Sequence, residues 1–226
     1  EIRIYTMPAQ DYFKARKNMV DSQLKPNGVL DDRLIGAMSQ IPRESFVPEA
    51  INSLAYVDED LQIGDERYLM EAMIFGKLIQ ACAITDEDVV LDIGCGLGYA
   101  TAVMGKLAAT VVALEEDQQF YLAATKNLAN LNVDNAAVIE GPHNLGAPSH
   151  GPYDVIFIGG AVENIPDEIK HQLNNGGRLA TVIRSGKIGR GLIIKREGEE
   201  FAHRELFDAL TPILTGFKEE QGFVFN

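Results

Sequence analysis

The sequence predicts an α/β protein in which a doubly wound, mostly parallel sheet follows a helical segment. Two observations support this fold class. After residue 85, apolar runs of strand length alternate with stretches of helical length, which is typical of a parallel sheet with helices on both faces. The first apolar run leads directly into a glycine-rich turn, Gly94-Cys95-Gly96-Leu97-Gly98, as strands do in nucleotide-binding α/β sheets.

Residues 1–65 are predicted to form a mostly helical lead-in without a strand pattern, and residues 66–226 the sheet domain. A first helix is predicted from Pro8 to Leu24, because proline suits a first turn and apolar residues recur at helical spacing. A second helix is expected to begin at Asp31 or Asp32, since aspartate caps helix N-termini, and to end before Pro42.

The sheet domain is predicted to begin with a helix from Leu69 to Ala83. Strands are predicted at 88–93, 110–115, 136–140, 153–159, 178–183 and 191–196, with a last strand at 222–225. Helices are predicted at 98–108, 117–131 and 166–174. Asp117 is a suitable cap for the second of these helices, and the alternation in 191–196 is typical of an edge or antiparallel strand.

Composition narrows the possible classes of protein. The chain has 226 residues, and its 46% hydrophobic content is enough for one sizeable core. A net charge of −13 disfavours a nucleic-acid partner. Two cysteines fit a reducing compartment, and four histidines without ligand spacing predict no metal site. With no run of 18 apolar residues and no apolar leader in residues 1–10, we expect a soluble cytoplasmic protein without a membrane partner.

The glycine turn and the next strand together predict a bound adenosine. Glycine permits positive φ and close approach of a ligand to the backbone. The strand after the turn ends at Glu115, 17 residues beyond Gly98, where a carboxylate can accept hydrogen bonds from both ribose hydroxyls. In the dinucleotide pattern the third glycine comes one residue later, at the position of Tyr99, so a nicotinamide-dependent dehydrogenase is the weaker alternative.

At this point the sequence resembles the protein-L-isoaspartate O-methyltransferases, which are class I, Rossmann-like enzymes that depend on S-adenosyl-L-methionine. The resemblance rests on the stretches Met19–Leu24, Ile41–Glu49 and Val90–Tyr99. It implies a seven-stranded sheet whose last strand pair is antiparallel. It also implies methyl transfer to an isoaspartyl carboxylate in a damaged protein or peptide, with S-adenosyl-L-homocysteine as the product. We expect a monomer or a homodimer.

By position, the resemblance also implies which residues contact the cofactor. Glycines of the turn would face its methionine tail, Asp92 would brace the turn, and Glu115 would hold the ribose. The implied cofactor-binding residues are Asp92, Gly94, Cys95, Gly96, Gly98, Tyr99, Glu115, Glu116, Gly141 and Pro142. Pro142 stands where the family commonly has the aspartate of a Gly-Asp-Gly sequence, so we expect different adenine contacts.

The stretch Ile63–Ala72 departs from the family, which usually has Gly-x-x-Thr-Ile-Ser-x-Pro there. Leu69 replaces the serine and Arg67 replaces the threonine, and leucine cannot hydrogen-bond an acceptor. We expect Arg67, Tyr68 and Leu69 to form the catalytic stretch, with Arg67 clamping the acceptor carboxylate and Tyr68 covering substrate or cofactor. The alternative is a solvated loop in which Tyr68 fills the core.

Three functions therefore remain open. The first is isoaspartyl methylation, which needs no general base because a carboxylate with a pKa of about 4 is ionised at neutral pH. The second is methylation of another acceptor, such as a small acid or a thiol. The third is a protein that binds S-adenosyl-L-methionine or its product without turnover and uses the lead-in as an interaction surface.

Overall fold

The lead-in of the computed structural model, which describes residues 8–218, begins with helices, as the sequence predicts. Helix α1 (Ala9–Met19) continues as a π-helix over Val20–Leu24 and a 3₁₀ turn over Lys25–Asn27. Helix α2 (Asp32–Gln40) is capped by Asp31, whose carboxylate accepts a hydrogen bond from Leu34 N at 2.8 Å. The strand predicted at 222–225 lies outside the described residues.

A short β-hairpin follows the two helices. Strands β1 (Leu61–Gly64) and β2 (Arg67–Leu69) pair antiparallel, with Leu61 opposite Leu69. The prediction of a strand-free lead-in is therefore wrong, because strands of three or four residues are too short to show alternation. Helix α3 (Ala72–Cys82) begins three residues later than predicted, since Leu69 is held in the hairpin. The hairpin crosses residue 65, and the division into two units at that point stays a prediction.

A seven-stranded sheet forms the centre of the molecule. Its strands are β3 (Val89–Ile93), β4 (Thr110–Glu115), β5 (Ala136–Glu140), β6 (Tyr153–Val162), β7 (Leu173–Ser185), β8 (Ile188–Glu197) and β9 (Glu200–Asp208). The spatial order is β5-β4-β3-β6-β7-β8-β9. The first five strands in this order are parallel, and β8 runs antiparallel to both of its neighbours. The predicted fold class, including the antiparallel last pair, is confirmed.

Three helices connect the strands of the sheet: α4 (Tyr99–Gly105), α5 (Gln118–Asn130) and α6 (Asp167–Lys170). Asp117 caps α5 as predicted, accepting hydrogen bonds from the backbone N–H groups of Gln119 and Phe120. The helix predicted at 166–174 is wrong in extent, because Leu173 already pairs with Tyr153 of β6. Strand β9 is missing from the prediction, since most of its side chains are exposed and no apolar alternation marks it.

The strand order creates a crevice at one end of the sheet. From β3 the chain proceeds outward to β4 and β5 and then returns to form β6 on the other side of β3. Ligands of doubly wound sheets bind at such a switch point, outside the carboxyl ends of the strands. Strand β3 is rigidly placed there, because Val90, Leu91 and Ile93 are fully buried. Among the described residues, no helix is long and apolar enough to span a membrane.

Candidate functional site

The glycine turn adopts a conformation that requires glycine. After β3, the backbone φ angles of Gly94, Gly96 and Gly98 are +77°, +55° and +96°. Side chains with a Cβ rarely adopt this left-handed region. Gly98 is also the N-cap residue of α4, so the turn directs the helix N-terminus towards the crevice.

Two side chains of the protein fill the space beside this turn. A Cβ added to Gly94 would lie 2.6 Å from Cδ2 of Leu214, and one added to Gly96 would lie 3.0 Å from Cδ1 of Ile63. Leu214 belongs to the segment after β9, which crosses the end of β6 through a hydrogen bond from Leu214 N to Ala161 O at 2.8 Å. Ile63 belongs to the hairpin. The turn is therefore covered from two directions.

The carboxylate of Glu115, at the end of β4, is buried and fully hydrogen-bonded. Arg67 of the hairpin binds it through two N–H groups, with Nη1–Oε1 at 2.5 Å and Nη2–Oε2 at 2.7 Å. The backbone N–H groups of Gly96, Glu116 and Asp117 donate at 2.8, 3.0 and 3.1 Å. A carboxylate offers about four lone-pair positions, so these five donors occupy its accepting capacity.

The hydrogen bonds to Glu115 determine its charge. Burial by itself would raise the pKa of this carboxyl group, but the hydrogen bonds from Arg67 and its positive charge outweigh that effect and lower the pKa to about 2. Glu115 is therefore ionised at neutral pH. The face of the Arg67 guanidinium lies against the Phe120 ring, with Cζ 5.0 Å from the ring centroid, which further fixes its position.

His143 contributes to the same site, although the sequence assigns it no role. Its ring is fully buried, and Nδ1 lies 3.1 Å from the carbonyl oxygen of Thr215. Because a carbonyl can only accept, Nδ1 must carry the hydrogen. Nε2 then accepts from Glu116 N at 3.3 Å and lies 3.4 Å from Oε1 of Glu115. The Gly-Pro-His sequence directly after β5 is the signal that could have indicated this role of His143.

Asp92, in β3, is the second fully buried carboxylate of the site. Its Oδ2 accepts a hydrogen bond from the Thr101 hydroxyl at 2.6 Å, whereas Oδ1 has no hydrogen-bond donor among the described residues. Burial raises the pKa of Asp92 to about 7, and the negative charge of Glu115 adds to the rise. A ligand that donates a hydrogen bond to Oδ1 would satisfy this buried oxygen.

A small apolar cavity of about 30 Å³ lies between the hairpin, the glycine turn and the lead-in. Such a volume holds one or two water molecules. The lining includes Phe46, Tyr68, Leu69, Met70, Phe75, Cys95, Tyr99 and Phe157. The cavity brings Tyr68 and Leu69 beside Gly94 and Gly96, as expected of a catalytic stretch, although their catalytic roles stay predictions.

Arg43, from the second signature stretch, anchors the hairpin to the rest of the site. This fully buried arginine donates to Ala55 O at 2.8 Å and to Met70 O at 2.7 Å. Its guanidinium carbon lies 4.8 Å from the centroid of the Tyr99 ring. Because Tyr99 begins α4, Arg43 links the end of β2 to the helix that follows the glycine turn. The sequence alone did not reveal this function.

Three of the remaining predicted cofactor residues, Glu116, Gly141 and Pro142, lie close to the backbone of Glu115 and to His143. Gly141 N donates to the backbone oxygen of Glu115 at 3.0 Å, and Pro142 precedes a 3₁₀ turn that starts at His143. The Glu116 carboxylate lies 3.3 Å from Nδ1 of His143. Cys95 is buried, and burial raises the pKa of its thiol well above the usual value. Their contacts with a cofactor stay predictions.

Comparison with known proteins agrees with the sequence resemblance. Residues 14–207 match the family model for protein-L-isoaspartate(D-aspartate) O-methyltransferase. Protein-L-isoaspartate O-methyltransferase 2 of Pelobacter propionicus is 34% identical over 186 residues, covering 82% of this chain and 83% of that protein. The protein of the same name from Anaeromyxobacter sp. is 37% identical over 164 residues, covering 73% of this chain and 68% of that protein.

Solved structures give the same fold. A protein-L-isoaspartate O-methyltransferase aligns with a TM-score of 0.77 and 24% identity, over 91% of this chain and 67% of that chain. A Plasmodium falciparum structure assigned to the same enzyme class, solved with S-adenosyl-L-homocysteine, aligns with a TM-score of 0.76 and 19% identity, over 91% of this chain and 98% of that chain.

Proposed function

Because this chain belongs to the protein-L-isoaspartate(D-aspartate) O-methyltransferase family, we propose that it transfers a methyl group from S-adenosyl-L-methionine to an isoaspartyl carboxylate in damaged proteins. The observation that carries the proposal is the family match over residues 14–207. The glycine turn and Glu115, both at the switch point of the sheet, support it.

The chemistry of the site fits this cofactor. Gly94, Gly96 and Gly98 would lie along the methionine tail, and Oδ1 of Asp92, which has no donor among residues 8–218, suits its ammonium group. Glu115 would accept the ribose hydroxyls. The adenine would lie on the side of Glu116, Gly141 and Pro142. When bound, the cofactor supplies a methyl group on a positively charged sulfur.

The chain's own part in the reaction is to bind, orient and exclude water. The acceptor is ionised at neutral pH, so no side chain has to remove a proton. An oxygen–carbon bond forms while the sulfur–carbon bond breaks, and sulfur keeps the electron pair. The apolar lining of the cavity, which includes Tyr68 and Leu69, keeps bulk water away from the reacting charges. Positioning of this kind contributes up to about 7–11 kcal/mol to lowering the barrier.

A second candidate function is binding of S-adenosyl-L-methionine or its product without turnover. The observation that favours it is Leu69, which lines the cavity beside the glycine turn and offers no hydrogen bond to an acceptor.

A labelled-methyl assay distinguishes the two functions. The protein is incubated with methyl-labelled S-adenosyl-L-methionine and an isoaspartyl peptide, and the matched control is the same peptide with a normal aspartyl residue. We expect label in the isoaspartyl peptide alone. Calorimetric binding of S-adenosyl-L-homocysteine without any labelled peptide would support the second function instead, and absence of binding would contradict both.

We further infer that the protein acts in the cytoplasm on peptides or proteins and does not bind nucleic acid. The inference is supported by two buried free cysteines, Cys82 and Cys95, and by the net charge of −13. We expect a monomer or a homodimer. Size-exclusion chromatography with light scattering tests the oligomeric state.

A further inference from the structure

Arg67 donates hydrogen bonds to both carboxylate oxygens of Glu115, which would also have to accept the ribose hydroxyls of the cofactor. What we infer from this competition rests on the proposed function. Both oxygens of Glu115 accept from Arg67, at 2.5 and 2.7 Å, and the other three hydrogen bonds come from backbone N–H groups. The backbone donors are fixed by the glycine turn and by the start of α5. The guanidinium of Arg67 lies at the end of a flexible side chain, so it is the donor that a ligand can replace.

Once displaced, Arg67 needs another anion. It is 5% exposed and is surrounded by Phe120, Ile63 and the glycine turn, with Nη2 3.7 Å from the Cβ position of Gly96. A buried cation without a counterion is strongly unfavourable. The next two residues, Tyr68 and Leu69, line the cavity beside Gly94 and Gly96. An acceptor carboxylate placed in that cavity would lie close to the released guanidinium.

We propose that Arg67 is a two-position switch, which binds Glu115 until the ribose hydroxyls take that carboxylate and then pairs with the carboxylate of the methyl acceptor. Cofactor and acceptor therefore bind cooperatively. The ribose releases Arg67 from Glu115, so that Arg67 can pair with the acceptor carboxylate. The acceptor in turn holds Arg67 away from Glu115, so that the ribose can bind there. A guanidinium fork fits a carboxylate through two N–H bonds in either position.

The switch also has a consequence after methyl transfer. Methylation converts the acceptor carboxylate into a neutral ester, which cannot pair with a cation. Arg67 then has no anion in the cavity and returns to Glu115, where it competes with the ribose of the spent cofactor. The same side chain thus favours binding of the charged acceptor and release of the neutral product.

Calorimetric titration with S-adenosyl-L-homocysteine tests the switch without relying on catalysis. For the wild-type protein, a saturating isoaspartyl peptide is expected to tighten binding at least about 5-fold, the lower end of ordinary coupling between sites. The methyl ester of the same peptide is the matched probe and is expected to change the affinity less than about 2-fold, since the ester carries no charge for Arg67.

The variant Arg67→Gln is expected to bind S-adenosyl-L-homocysteine at least about 10-fold more tightly than the wild type without peptide, and to show no coupling. Arg178→Gln is the control. Arg178 lies 2.8 Å from the Asp88 carboxylate, and this pair is away from the crevice. The affinity of Arg178→Gln is expected to equal that of the wild type. If Arg67→Gln does not fold, as judged by thermal melting, the wild-type titrations with peptide and ester decide.

The outcomes separate the switch from the proposed function. Equal affinities with peptide, with ester and with neither, together with methyl transfer to the isoaspartyl peptide, would overturn the switch and leave the function standing. If neither the wild type nor Arg67→Gln binds S-adenosyl-L-homocysteine, with or without peptide, both the function and the switch are overturned.

Discussion

Asp92 and Glu115 lie on neighbouring parallel strands of the sheet, and both are fully buried, yet their environments differ. Glu115 receives two hydrogen bonds from Arg67 and three from the backbone, whereas Asp92 receives one, from Thr101. Their pKa values move in opposite directions, to about 2 for Glu115 and about 7 for Asp92. Burial alone therefore does not determine the charge of a carboxylate; the number and charge of its donors do.

The difference also separates the two halves of the candidate cofactor site. At Asp92, a ligand donor would satisfy an oxygen that the described residues leave without a hydrogen bond. At Glu115, a ligand has to compete with Arg67. We infer that a ligand gains a hydrogen bond at Asp92 without displacing a protein donor, whereas at Glu115 it has to displace one.

The largest expected effect comes from removing the cation that neutralises Glu115. Arg67→Ala is expected to lower the free energy of unfolding by about 3–5 kcal/mol at pH 7, because it leaves a buried carboxylate without its charged partner. Urea unfolding measures the change. The double variant Arg67→Met with Glu115→Gln is the control and is expected to recover most of the loss. A loss below about 1 kcal/mol for Arg67→Ala would show that the pair is not buried in solution.

The next largest effect concerns Asp92, through the pH dependence of stability. The folded pKa of about 7 lies above the ordinary value of 3.8, so the folded state binds more protons than the unfolded state between these values. The contribution of Asp92 to the stability of the wild type is therefore expected to fall as pH rises from about 4 to 7, by on the order of 4 kcal/mol. In Asp92→Asn this contribution disappears. If the free energies of unfolding of the two proteins change with pH in the same way across that range, the raised pKa is contradicted.

Glu115 is expected to have the opposite pH dependence, with a somewhat smaller amplitude. Its folded pKa of about 2 lies below the ordinary value of 4.5, so its contribution is fully present above pH 4.5 and is lost as pH falls towards 2. The lost stability is on the order of 3 kcal/mol. Urea unfolding of the wild type and of Glu115→Gln at pH 5, 4 and 3 measures it. The stability difference between the two proteins has to shrink with falling pH; a constant difference would count against the pairing.

The smallest effect is expected at the outer edge of the hairpin. Lys218 Nζ lies 2.6 Å from Oε1 of Glu66, and both side chains are more than half exposed. Lys218→Ala is expected to change the free energy of unfolding by less than about 1 kcal/mol, since exposed pairs contribute little. The Lys17–Asp21 pair, in which Lys17 is also mostly exposed, provides a matched control through Lys17→Ala. A much larger loss for Lys218→Ala would mean that this contact holds the hairpin closed.

The sequence predicted the parts of the site that depend on local chemistry. The turn at Gly94–Gly98 needs positive φ, and Glu115 ends an apolar strand, so both are visible in a short stretch. The pairing of Arg67 with Glu115 was not predicted, because it joins residues 48 positions apart through the placement of a three-residue strand. The contact of Leu214 with Gly94 likewise depends on how the chain after β9 crosses β6.

The same distinction applies to the fold. Strands β3 to β5 were predicted to within one residue, because they are apolar runs bounded by turns. Strand β9 and the β1–β2 hairpin were not, since one is mostly exposed and the other is very short. Their pairing is determined by tertiary contacts and not by local pattern.

The most direct test of the account is a crystal structure of this protein grown with S-adenosyl-L-homocysteine. We expect the ribose hydroxyls to donate to Glu115, the amino group to lie beside Oδ1 of Asp92, and the Arg67 guanidinium to have left hydrogen-bond distance of Glu115. A bound cofactor product with the Arg67–Glu115 pair intact would contradict the account.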